Sequence, residues 1–304
     1  MHPQVEAILV RARSVRRLIL AEIEAATAEE LTYRPGDRWS ARDTLVHLGN
    51  CEETGTGMLR HFILGEPHPF MVKEPLPPDE WNRRELARCE HLDVAGGIAY
   101  VHSTRQALEA VAAQAAGENL DQVVRELGMI FTHESGHLHQ IREAVARARG
   151  DAVLGELHGL AYARHQVLEL LNLERWPAAA LEWRSAPEKW SVKETLLHLA
   201  TWDRFATGVY AAVAEDRPLP PMPFADGELD RWNREQVEAL SWLSCAQTFH
   251  ECGAAWGVMT AQLQRIKPAQ WESPQAREWH GYRGHDLHHV ESMRQTLFAW
   301  RQTQ

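Results

Sequence analysis

A chain of 304 residues has material for two domains with buried cores, at roughly 100 to 200 residues each. Apolar residues at 44% and charged residues at 24% match globular usage and exclude disorder, while a formal net charge of −10 argues against nucleic acid or anionic lipid as a partner. No run reaches the roughly 18 to 20 apolar residues of a membrane span, charges such as Glu6, Arg11, Arg13, Arg16 and Arg17 break any signal-peptide core, and four cysteines without CxxC spacing suit a reducing compartment, so a cytoplasmic protein is expected.

Residues 4 to 25 place Val5, Ile8, Leu9, Val15, Leu18, Ile19 and Ile23 at spacings of three and four, which predicts a first helix. Ser40, followed three residues later by Asp43, forms a capping box that opens a second helix. The segment 66–80 is proline-rich and aperiodic, and reads as a long connection. A third helix is expected over about 97 to 117 and a fourth over about 120 to 149, by the same periodicity. Gly150 then marks a helix end, placing the joint beside Asp151.

The second half repeats the first. WSARDTLVHL begins at Trp39 and WSVKETLLHL at Trp190, an offset of 151 that recurs from Trp81-Asn82-Arg83 to Trp232-Asn233-Arg234. Ser191 and Glu194 restore the capping box, and 217–228 is again proline-rich. His133 and His137 match His285 and His289 at an offset of 152. Four helices with one long crossover, twice over, predict an all-α chain of two four-helix bundles, residues 1–149 and 152–304.

In each half two histidines four residues apart share one helix face, and a third histidine, His47 or His198, sits on the leucine-rich second helix. Three imidazoles from two helices can hold one ion and leave a position open, whereas an isolated histidine on an apolar face more often serves as a hydrogen-bonded core residue. His133-Glu134-Ser135-Gly136-His137 also spells HExxH, in which the glutamate of a zinc protease is the general base, but that pattern needs a third ligand downstream and the second half carries Asp286 instead. Cys51, one turn after His47, reads as a buried structural thiol or a fourth ligand, with Trp202 at the matching place. Glu52 and Asp203, five residues after the helix-two histidines, are candidate acid/base groups or solvated helix charges. Trp81, Asn82, Trp232 and Asn233 follow the proline-rich segments and are either core or groups carried to the rim of a pocket.

The W-S-x-x-[DE]-x-L-x-H-L start of helix two and the terminal HxxxH pair resemble the DinB/YfiT-like superfamily along nearly the whole of both halves. WSVKETLLHLATWD, the Trp232-Asn233 block and Tyr282 three residues before His285 are similar to its DfsB-like branch, the relatives of the colibactin self-resistance cyclopropane hydrolase. The resemblance implies two tandem DinB-like four-helix bundles and a divalent metal, zinc or nickel, held by His47, His133 and His137 in the first and by His198, His285 and His289 in the second. It also implies Tyr282 as a pocket residue. Gln140 completes an HxxxHxxQ ending in the first half, where the second has Ser292. The implied activities are metal-assisted hydrolysis or thiol transfer on an electrophilic small molecule, with sequestration of such a molecule without turnover as the alternative. The expected partners are that small-molecule substrate and, for assembly, a second copy in a homodimer.

Overall fold

A computed structural model describes residues 1–36, 38–67, 76–171, 176–280 and 282–304. The first compact unit, Met1–Gly150, holds α1 (Pro3–Glu24), the short α2 (Ala28–Thr32), α3 (Ala41–Leu64), α4 (Pro78–Arg88), α5 (Val94–Ala112) and α6 (Leu120–Ala148). The second, Asp151–Gln304, holds α7 (Ala152–Leu170), α8 (Ala178–Glu182), α9 (Val192–Ala214), α10 (Leu229–Leu240), α11 (Cys245–Leu263), the short α12 (Pro268–Trp271) and α13 (Pro274–Arg277), and α14 (Arg283–Gln302). Among the described residues there is no strand, and no helix is long and apolar enough to cross a membrane. The chain is all-α, with two tandem bundles built from α1, α3, α5 and α6, and from α7, α9, α11 and α14.

Local chemistry explains the helix starts. Ser40 accepts from Asp43 N while the Asp43 carboxylate accepts from Ser40 N, and Ser191 and Glu194 do the same at α9, so two otherwise unsatisfied N–H groups are paired at each start. At the joint, Gly150 adopts φ +76°, which a residue with a side chain disfavours, and Asp151 caps α7 by accepting from Leu154 N at 2.9 Å.

The first proline-rich segment ends earlier than the sequence suggests, whereas the second, 217–228, ends where expected, at the start of α10. Of 66–80, residues 68–75 lie outside the described residues. Pro78 already belongs to α4, because proline lacks only an N–H that the first turn leaves unpaired, and Asp79 and Glu80 favour the positive helix end. Trp81 and Asn82 therefore stand on a helix rather than on a loop, as do Trp232 and Asn233 on α10. The third helix begins three residues earlier than expected, at Val94, where Asp93 accepts from Gly96 N, and ends at Ala112.

Along α1 the buried positions are Val5, Leu9, Ala12, Arg16, Ile19 and Ile23, alternating by four and three as in a helix packed along one seam. Arg16 stands in this apolar series between two hydrophobic clusters, one around Leu9, Leu59 and Leu108 and one around Ile19, Leu45 and Ile141. Arg164 of α7 likewise falls between clusters that contain Leu160 and Val167.

Candidate metal centres

Helix α3 contributes His47, and one face of α6 contributes His133 and His137. Their Nε2 atoms converge, 3.1 Å from His47 to His133 and 2.9 Å from His137 to His133. In the second unit His198 of α9 approaches His285 of α14 with Nε2 atoms 2.9 Å apart, and His289 completes the group, all three ligand atoms lying within 4.8 Å of one another. Two nitrogens that each sit about 2.0 to 2.1 Å from one ion are about 2.9 to 3.4 Å apart for angles of roughly 90° to 110°, so the His47–His133, His133–His137 and His198–His285 pairs already have the spacing of metal donors.

Protonation favours the same role. Burial, with His133 beside it, brings His47 down to about 3; burial, with His285 and His289 beside it, brings His198 down to about 2. Burial, with His285 and His288 beside it, brings His289 down to about 4, and burial lowers His285 as well. Neutral imidazoles keep a lone pair for an ion. In the first unit His137 Nδ1 donates to Gln140 Oε1 at 2.7 Å, which leaves Nε2 as the unprotonated nitrogen and fixes the ring plane. Ser292 replaces Gln140 in the second unit, where the buried His285 Nδ1 has no hydrogen-bond partner.

The surroundings of the triads differ. Trp39 and Trp190 each lie 4.8 Å, ring centre to ring centre, from the helix-two histidine of their unit. Over the first triad Trp81 meets His47 edge-on at 6.2 Å, and Cys51 Sγ lies 3.4 Å from His47 Nε2. Asn82 lines a cavity of about 670 Å³ with Trp39, Arg34 and Arg83, and none of the three histidines is in its wall.

Over the second triad a cavity of about 760 Å³ opens, walled by His198, His285 and His289 together with Trp190, Trp202, Asn233, Trp279 and Tyr282. Trp202 donates its indole N–H to Asn233 Oδ1 at 3.1 Å, which holds the ring as a wall. Trp232 does not line this cavity; it packs behind Trp202 and against Phe224 at ring distances of 5.5 and 5.4 Å, an apolar buttress because its helix turns it away from the opening. Met222, from the segment 217–228, also reaches the cavity.

Glu52 and Asp203 lie in buried charge networks. Arg16 bonds Glu52 at 2.8 Å and Glu134 at 2.6 Å, and Arg105 bonds Glu134 at 2.6 Å and Glu52 through Nε at 2.6 Å. Glu134 is thus held by two guanidinium groups on the core side of α6, which removes it as the metal-side base of an HExxH protease. In the second unit Arg164 bonds both Asp203 at 2.9 Å and Asp286 at 2.8 Å, and its guanidinium lies 4.6 Å from the Trp256 ring, at the place where α5 carries Arg105. Desolvation, strengthened by Asp286, brings Asp203 up to about 6 against the pull of Arg164. Because Glu134 and Asp286 directly follow the first histidine of each HxxxH pair, these networks also fix the rotation of α6 and α14 that presents the histidines.

A family model of the DinB superfamily matches residues 11–141 and 160–293. The chain belongs to the DinB superfamily. Each matched segment of this DinB protein contains one complete histidine triad, and the superfamily's usual metal binding agrees with the donor geometry of both. No curated protein and no solved structure matches the chain.

Sequence reasoning missed Arg16, Arg105 and Arg164, although Arg16 falls on the apolar seam of α1 and an arginine there requires buried acids. It also missed Trp279, which stands just past the short helices α12 and α13, a segment for which the first unit has only the turn at Gly117–Asn119.

Proposed function

We propose that each unit of this DinB protein holds a divalent ion, zinc or nickel, at its histidine triad, and that the second centre acts on an electrophilic small molecule by metal-assisted hydrolysis or thiol transfer. The observation that carries this reading is the 760 Å³ cavity with His198, His285 and His289 in its wall. An ion bound there would supply Lewis acidity and lower the pKa of a water or thiol. The chain itself supplies three neutral imidazoles, a Trp202 wall braced by Asn233, and aromatic surfaces that exclude water from a bound ligand. The Tyr282–His285 spacing and the WSVKETLLHLATWD start, both similar to the DfsB-like branch, support the second unit as the reactive one.

The first centre, with Cys51 and Trp81 against His47, serves to hold its bundle together. Sequestration without turnover is the second reading. It is favoured by Asp203, which is ion-paired to Arg164, fully buried and outside the cavity wall, and so is not placed to exchange protons with a ligand there.

The test compares zinc-loaded His137→Ala and His289→Ala proteins on a thiol plus 1-chloro-2,4-dinitrobenzene and on an epoxide. Loss of turnover of about 100-fold or more in His289→Ala alone is expected, the scale on which a metal's contribution is felt. Equal losses in both variants contradict the division of labour, and binding of the electrophile without turnover in the wild-type protein establishes sequestration.

A further inference from the structure

The wall of the second cavity also carries information about ligand charge, and this inference rests on that cavity being the substrate site. Three indoles and a phenol, Trp190, Trp202, Trp279 and Tyr282, surround the space above the histidines. Each ring is held by others: Trp279 by Phe205 at 5.6 Å and Tyr282 at 6.0 Å, Tyr282 by His285 at 5.7 Å in a stacked arrangement, and Trp202 by Trp232. Rings braced in this way keep an apolar slot open instead of collapsing into it, and their faces carry the negative end of the ring quadrupole.

The rim bears two carboxylates from separate elements, Asp230 on α10 and Glu278 just after α13. Neither forms an ion pair among the described side chains, and the described wall contains no lysine or arginine, although Lys189 and Arg234 line the smaller adjoining cavity that shares Asp230, Trp190 and His289 with it; His280, which shares its Nε2 hydrogen with the Trp271 carbonyl at 2.9 Å, and His288 are further titratable groups of the upper wall. The cavity beside Trp39 in the first unit is mixed in charge, with Arg34, Arg38, Arg42 and Arg83 set among Asp43, Asp79 and Glu90.

We infer that the second cavity selects a ligand with a planar apolar body and a positively charged group: the body lies between the indoles, the cation sits at the rim against Asp230 and Glu278, and the reactive end points to the histidines. Aromatic faces and carboxylates act in the same sense on a cation, and both repel an anionic tail.

The probes are (2-naphthylmethyl)trimethylammonium and 2-naphthylmethanesulfonate, matched in shape and opposite in charge, titrated at low salt by tryptophan fluorescence into chelator-treated protein, so that no dication at the cavity floor adds its own charge to that of the wall. The cation is expected to bind at least about fivefold more tightly, the sum of two exposed charge contacts and a cation–π contact. In Asp230→Asn/Glu278→Gln that preference shrinks to about twofold or less, and Trp279→Ala weakens the cation further. Equal or tighter binding of the sulfonate, a preference that survives the double substitution, or no binding of either probe overturns the inference. With no metal in the cavity, the same titration of His289→Ala keeps the cation preference even where the catalytic reading fails, and a failure of charge selection leaves the metal measurements untouched.

Discussion

Gln140 shows how one side chain divides two otherwise matching centres. Its Oε1 receives the His137 Nδ1 hydrogen at 2.7 Å, whereas Ser292 stands at the matching place beside His289, the counterpart of His137. Replacing the partner of a ligating imidazole commonly costs about 10- to 100-fold in metal affinity. Gln140→Ala is therefore expected to weaken zinc at the first centre by that factor and leave the second unchanged, as read by competition with a chromogenic chelator. An equal loss at both centres, or none at either, contradicts this role. The histidines themselves were legible in the sequence, because HxxxH and a helix-two histidine recur at nearly one offset. The roles of Glu52 and Asp203 were not: five residues after a histidine on a helix, a carboxylate can turn either to the ion or to the core, and only the position of Arg16 or Arg164 decides.

At the scale of elements, the rotation of α1, α3, α5 and α6 is tied together by Arg16, Glu52, Arg105 and Glu134, whose side chains are all less than 10% exposed. Removing one member of a buried network leaves an unpaired charge in a dry layer, at a cost of about 3 to 5 kcal/mol. Arg16→Met should destabilise the first unit by that amount in urea, whereas Arg13→Met, at an ion pair open to solvent, should cost about 1 kcal/mol or less. Equal effects would mean that the network carries no structural load. The four long helices of each unit were readable from apolar spacing and capping boxes. Helix α4 was not fully readable, because prolines that look like breakers are tolerated at a first helical turn; α10 follows directly on a proline-rich segment, and α12 and α13 are too short for a periodicity to show.

Over the whole molecule the buried neutral histidines couple stability to pH. Without metal, His47 at about 3, His198 at about 2 and His289 at about 4 take up fewer protons folded than the unfolded value of 6.5 would allow. Their contribution is present above 6.5 and is lost as pH falls through that value toward about 4. Asp203 acts in the opposite direction: raised from 3.8 to about 6, it stabilises below 3.8 and loses that contribution as pH rises through about 6. The histidines outweigh Asp203 and Glu52, which burial also raises, so the melting temperature of chelator-treated protein should fall between pH 7 and pH 5, and a rise over that interval would contradict the account. The central claim is that two separate histidine triads each hold one ion. Elemental analysis of zinc-loaded protein, with native mass spectrometry on the same sample, tests it most directly: the account predicts two ions per chain, one in His137→Ala, one in His289→Ala and none in the double variant, whereas two ions retained in either single variant, or none in the unaltered chain, would contradict it.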